Sequence, residues 1–201
     1  MRLVLASNNA KKLVELQALF TPLGLELVTQ GSLGIAEAEE PHVTFIENAL
    51  AKARHAALHA NAAAIADDSG LCVDALGGSP GVLSARYATL FGRPKSDDEN
   101  NRVLLEQLAS HADRRGRFVS ALVAVRAADD PEPLIAFGRW EGEVLHAPRG
   151  AGGFGYDPLL FIPSLGKAVA ELSAEVKNTH SHRAIASRQM LVLMREVWRL
   201  G

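Results

Sequence analysis

The chain has 201 residues, 48% hydrophobic and 22% charged, with a formal net charge of -2, a composition that suits one globular domain, 1–201, with a sizeable core. The near-neutral balance excludes a strongly basic face and hence polymeric nucleic acid as a partner, while a local basic pocket for a small anion needs only a few residues. The single cysteine, Cys72, can form no intrachain disulfide and is read as core; no apolar run reaches the length of a membrane span, and that of MRLVLASNN is too short for a signal peptide. The expected setting is the reducing cytoplasm, with no membrane partner.

In chain order, Leu3–Ala6 is a short apolar run that predicts a strand, Ser7-Asn8-Asn9 a loop, and Ala10–Phe20 a helix with Leu13, Leu16, Leu19 and Phe20 at helical spacing. Gly24–Thr29 reads as a second strand. Thr44-x-x-Glu47 is a capping box that opens a helix to about Ala60, with Phe45, Ala49, Ala53 and Ala56 or Ala57 facing inward. Ile65 begins a strand expected to end at Asp67-Asp68, where Ser69-Gly70 supplies a turn. A second capping box, Ser96-x-x-Glu99, opens a helix whose inner face is Val103, Leu104 and Leu108. Arg117–Arg126 and Leu134–Val144 predict two long strands of an antiparallel ribbon, and Trp140 in the second is an aromatic that either joins the core or reaches an interface. A glycine-rich turn, APRGAGGFGYDP, leads into a strand at Leu159–Ile162, and a loop bearing KNTHSHR precedes a last helix from about Ser181 to Leu200. Alternating strands and helices with a hairpin among them give an α/β fold with a mixed sheet.

Four segments carry chemistry. Adjacent carboxylates repel unless a cation or proton lies between them, so Asp67-Asp68 invites a hard divalent ion such as Mg²⁺, with Glu39 or Glu40 as a further oxygen ligand; a solvated acidic turn is the plainer alternative. Two or three acids without a His/Cys cluster match a phosphate-handling metal better than zinc. Ser7-Asn8-Asn9-Ala10-Lys11-Lys12 sets helix N-terminal amides and two lysines where a phosphate would sit, although a helix cap with solvated lysines is equally compatible. Gly152–Pro158 combines glycines, Phe154, Tyr156 and Asp157, the parts of a surface that stacks on and hydrogen-bonds to a base. His182 and Arg183 open the last helix, where cations oppose the dipole, and with Lys177 and His180 in the same loop they suggest an anionic ligand.

In order along nearly the whole chain, SNNAKKLVEL, TFIENALAKA, ADDSGLCVDALGGSPGVLSARYA, GGFGYDP and VKNTHSHR resemble the inosine triphosphate pyrophosphatase family, closest to its bacterial branch. The resemblance implies a long mixed sheet with flanking helices and two lobes around a central nucleotide cleft, a homodimer, and Mg²⁺-dependent hydrolysis of dITP, ITP and XTP/dXTP to the monophosphate and pyrophosphate. It implies that Asp68 is the catalytic acid-base group and a metal ligand and that Ser69 touches substrate; for the second metal ligand the acidic residues themselves offer Glu39, Glu40 or Asp67, of which Glu40 is taken. Ser7, Asn8, Asn9, Ala10, Lys11 and Lys12 take phosphate, as does Lys52; Asn8 departs from the family's usual glycine. Phe154, Gly155, Tyr156 and Asp157 hold the base, and Lys177, His182 and Arg183 complete the base and phosphate contacts. Two rivals are weighed. A non-catalytic nucleotide sensor has no use for the general base that the acidic pair offers, and GGFGYDP and SHR disfavour a pyrophosphatase of modified pyrimidines only through the resemblance.

Overall fold

A computed structural model describes residues 2–21 and 24–200; Met1 and Gly201, the ends of the expected domain, lie outside them. Seven strands form one sheet in the order β2-β1-β3-β4-β5-β6-β7. They are β1 (Arg2–Leu5), β2 (Glu26–Thr29), β3 (Ala64–Val73), β4 (Arg115–Val125), β5 (Leu134–Val144), β6 (Leu160–Ile162) and β7 (Lys167–Ala168). The sheet is mixed: β1 runs parallel to β2 and to β3, while β5–β6 and β6–β7 are antiparallel. Neighbours β4 and β5 are joined only by residues 126–133, too short for a crossover, as the expected ribbon requires.

The helices begin where polar side chains cap them. In α1 (Ala10–Phe20) the cap is Asn9, in α2 (Phe45–Ala60) Thr44, in α3 (Asp97–Gln107) Ser96, and in α5 (His182–Glu196) Ser181. Thr44 Oγ1 accepts from the Glu47 N–H at 3.2 Å, and Ser96 Oγ does the same for Glu99, so both helices start at the expected side-chain caps. Asn61 ends α2 in the left-handed region, at φ 46°. A further helix, α4 (Ala174–His180), occupies the segment expected as a loop, so Lys177 and His180 are helical and separated from His182 and Arg183 by the Ser181 cap.

The chain forms two compact units, one of Met1–Asp68, Ser120–Gly138 and Ser181–Gly201, the other of Ser69–Val119 and Arg139–His180. In the first, the alternation of β3 divides the core. Ile65 packs with Leu16, Phe20, Met190 and Met194 of α1 and α5, whereas Ala64 and Ala66 pack with Ala49, Ala53, Ala56 and Ala57 of α2. In the second, Leu71, Val73, Leu104, Phe118, Trp140, Tyr156 and Leu160 form one cluster. Trp140 is only 8% exposed, so it is core and gives no support to an interface.

The expected turn at Ser69-Gly70 is absent. Strand β3 continues through both residues to Val73, which puts Asp67 and Asp68 in mid-strand. Gly70 serves close approach instead: a Cβ there would collide with the Gly81 carbonyl and with Ser84, whose Oγ accepts from the Leu71 N–H at 2.9 Å and donates to Gly81 O at 2.7 Å. Cys72 is half-buried on the same strand, and burial pushes its thiol up, as expected of a core thiol and not of a nucleophile.

Candidate active site

Because successive residues of a strand face opposite ways, Asp67 and Asp68 do not share one cation. Asp67, on the face of α1 and α5, has a fully buried carboxylate that meets Lys12 Nζ at 2.9 Å and Arg183 Nε at 3.2 Å and accepts from Ser120 Oγ at 2.7 Å. Burial alone would raise its pKa, but Lys12, Arg183 and the two hydrogen bonds hold it well below the usual carboxylate range. Burial lowers the Lys12 ammonium, Asp67 offsets this only in part, and Arg183 and Lys52 add to the fall. One carboxylate thus serves two cations, and each cation has only a share of it. Arg183 is further paired with Glu15 at 3.0 Å. Arg183 at the start of α5 therefore has its anions within the fold, and for this residue the dipole argument for an anionic ligand falls away.

Asp68, on the face of α2, is different. Its Oδ1 accepts from Lys52 Nζ at 2.7 Å, and the same ammonium donates to Glu40 Oε1 at 2.8 Å and to the Asp67 carbonyl at 3.1 Å. Its Oδ2 is buried with no hydrogen-bond partner. Burial raises the Asp68 carboxyl, Lys52 lowers it in part, and Glu40 adds to the rise. Burial pulls Lys52 down, yet Asp68 and Glu40 more than offset it and hold the ammonium up. Glu39 is exposed, so of the acidic loop it is Glu40 that joins Asp68. That loop is tethered by Asn48, wholly buried, whose amide donates to His42 O at 3.1 Å and accepts from His42 N at 3.0 Å.

Among the described residues no three His, Cys, Asp or Glu side chains form a metal cluster. The donor set is the carboxylate pair Asp68 and Glu40, and an unpartnered buried oxygen on Asp68 is an available ligand. Two carboxylates fit Mg²⁺, which keeps water and substrate phosphate in its other positions, and do not fit zinc.

The loop before α1 is already engaged. Asn9 Oδ1 accepts from the Lys11 and Lys12 amides at 3.0 and 3.2 Å, and Ser7 Oγ accepts from Asn9 N–H at 3.2 Å. Two amides expected to cradle phosphate thus complete a helix cap. Asn8, in place of the family's glycine, lies over Gly31, where any Cβ would strike its side-chain oxygen. Ala10 and Lys11 are exposed at the start of the helix. Ser69 is half-buried in β3.

In the second unit, Lys177 Nζ meets Asp157 Oδ2 at 2.8 Å and lies 5.7 Å from the centre of the Phe154 ring. Asp157 Oδ2 also accepts from Phe154 N–H at 3.2 Å. Tyr156 was expected beside Phe154 as a stacking surface, but its ring is in the core, its hydroxyl donates to Ser84 O at 2.9 Å, and burial drives its pKa far up. Of the two aromatics, the half-buried Phe154 alone keeps an accessible ring. From α3, Asp97 Oδ2 accepts from Gly155 N–H at 2.8 Å and Asn101 Nδ2 donates to Gly155 O at 3.0 Å.

The structure thus joins Lys12 and Arg183 at Asp67, Lys52 and Glu40 at Asp68, and Phe154 and Lys177 at Asp157. His182 is buried in the first turn of α5. Sequence reasoning missed Glu15, Asn48, Asp97, Asn101 and Ser120. Asn48 and Glu15 stand inside TFIENALAKA and SNNAKKLVEL, and Asp97 inside the capping box Ser96-x-x-Glu99, whereas Asn101 and Ser120 lie in no such motif. Gly138 of β5 was missed too: a Cβ there would meet the His182 carbonyl and come within 2.8 Å of Ala186 N, so a glycine lets the turn that carries His182 and Arg183 sit on the strand.

The Ham1 family model matches residues 3–193. The chain belongs to the Ham1 family. A dITP/XTP pyrophosphatase of Methylibium petroleiphilum is 68% identical to this Ham1 chain, over 98% of this chain and 99% of the relative. Another protein of that name, from Leptothrix cholodnii, is 66% identical over the whole of both. The structure of a HAM1 protein from Coxiella burnetii superposes with a TM-score of 0.90 at 42% identity, covering 98% of this chain and 100% of that one. The fold is therefore that of Ham1 proteins, and the chain is an enzyme of the same hydrolase class as its relatives, acting on triphosphate anhydride bonds.

Proposed function

We propose that this chain is a Mg²⁺-dependent pyrophosphohydrolase that converts the noncanonical purine nucleotides dITP, ITP and XTP/dXTP to nucleoside monophosphate and pyrophosphate. The observation that carries the reading is Asp68: a buried carboxylate with one oxygen on Lys52 and the other without a partner. A buried carboxyl with a raised pKa is suited to take a proton, and its unpartnered Oδ2 is the atom that would orient the attacking water and accept that proton. Asp68 and Glu40 would hold the ion, which when bound supplies neutralising charge to a triphosphate carrying about four negative charges. Lys52 binds phosphate from beside Asp68; Lys11, Lys12 and the Ser7–Ala10 loop add positive charge and polar groups from the start of α1. The base is assigned to Phe154, Gly155 and Asp157, with Lys177, and His182 and Arg183 assist. Tyr156 anchors the turn from below. Residues 1–201 act as one catalytic domain, a homodimer in the cytoplasm.

The reading is tested by measuring pyrophosphate release from dITP, XTP, dATP, dGTP and dUTP with Mg²⁺, with Ca²⁺ and with excess EDTA. Release from dITP and XTP with Mg²⁺ alone is expected, with Ca²⁺ depressing turnover through its longer, looser coordination. Full activity in EDTA removes the metal, preference for dUTP moves the enzyme to pyrimidines, and binding without release makes it a sensor. Light scattering that gave the 21.5 kDa of one chain at micromolar concentration would reject the dimer.

A further inference from the structure

Asp97 and Asn101 stand four residues apart on one face of α3, and together they hold both polar groups of one peptide residue, Gly155. The Asp97 carboxylate takes its N–H at 2.8 Å and the Asn101 amide grips its carbonyl at 3.0 Å. Asn101 is 9% exposed, and its own Oδ1 has no hydrogen-bond partner. A buried acceptor without a donor is costly, and an aliphatic side chain of similar size would fill the same space without that cost. What the amide adds is its bond to Gly155.

That bond acts on a turn whose other parts are already fixed. Tyr156 is locked in the core with its hydroxyl on Ser84, Asp157 N–H bonds to Phe154 O at 3.2 Å, and Phe154 N–H bonds to Asp157 Oδ2. With the amides of Phe154, Gly155 and Asp157 all engaged inside the unit, the turn offers side chains to a base rather than a row of N–H groups. The direction of the Phe154 ring follows from the peptide after it, and that is the peptide Asp97 holds. We infer that Asp97 and Asn101 are positioning residues for base recognition, setting the Phe154–Asp157 turn in the shape that binds the purine. The inference rests on the proposed assignment of the base to that turn.

The test uses Asn101→Leu, Asp97→Ala and Asp97→Asn, with Phe154→Ala as control, in steady-state kinetics on dITP, together with hydrogen exchange over residues 150–158 and thermal melts. If the clamp positions the base, Asn101→Leu and Asp97→Ala raise KM about tenfold with kcat within about twofold, the signature of lost binding common to ground and transition states. Exchange at the Gly155 amide quickens in both. Asp97→Asn, which keeps an acceptor oxygen, restores KM to within about threefold of wild type. Asn101→Leu loses little Tm, because the orphaned Oδ1 leaves with the bond and the half-buried Gly155 carbonyl that it frees can turn to water. Unchanged KM in both Asn101→Leu and Asp97→Ala while Phe154→Ala raises it overturns the clamp alone. Unchanged KM in Phe154→Ala overturns the base assignment, and the clamp with it. A fall in Tm that tracks the loss in every variant, unrescued by Asp97→Asn, reduces the pair to scaffolding and refutes the inference.

Discussion

Asp67→Asn separates two adjacent carboxylates that look alike in sequence. The wild-type side chain has no exposed surface and is shared by Lys12, Arg183 and Ser120 at 2.9, 3.2 and 2.7 Å. Asparagine keeps the shape but removes the charge, and its NH₂ must face a lysine or an arginine, donor against donor. Lys12 and Arg183 are themselves largely buried, so Lys12 loses its carboxylate and Arg183 keeps only Glu15; removing one partner of a buried ion pair costs about 3 to 5 kcal/mol. In a chain of this length each kcal/mol moves Tm by about 2 to 4 °C, so melting at pH 7 should fall by roughly 6 to 20 °C. The pH dependence has a definite sign. Asp67 is held below its ordinary 3.8, so its stabilisation is present above that value and is lost as pH falls through the depressed folded-state pKa. Melts followed by circular dichroism from pH 7 downward should therefore show the wild-type advantage shrinking only below about pH 4. An Asp67→Asn protein that melted within about 2 °C of wild type at pH 7 would refute the buried-pair argument.

Asp68→Asn should do the opposite, losing at least about 10²-fold in kcat, the lower range for a positioned acid-base group, without lowering Tm. Burial holds the Asp68 carboxyl above 3.8, so this group favours the fold below that pH and ceases to as pH rises through the raised value; a neutral isostere at pH 7 is thus tolerated. Turnover of dITP within threefold of wild type by Asp68→Asn would remove it from catalysis. Gly138→Ala drives a methyl group into the first turn of α5 and should cost about 1 to 3 kcal/mol of stability or more, with raised hydrogen exchange at residues 181–186. An unperturbed melt would show that β5 and α5 have room to part.

Local physics made much of this protein legible in its sequence. Side-chain caps at Thr44, Ser96 and Ser181 act on N–H groups three residues away, and the apolar run of β4 and the alternation of β5 declare extended chain, so these helix starts and the mixed sheet could be read directly. Two errors came from taking nearness in sequence for nearness in space. Asp67 and Asp68 suggested one shared cation at a turn, but β3 runs on through Gly70, and the pleat turns the two carboxylates toward different helices and different cations. Phe154 and Tyr156 suggested a paired stacking surface, but one ring is accessible and the other is core. Which lysine meets which aspartate, that Glu40 and not Glu39 reaches Lys52, and that α3 grips Gly155 depend on contacts between residues far apart in the chain. Those contacts follow from how helices dock on strands, down to single glycines such as Gly138, and only the tertiary structure decided them.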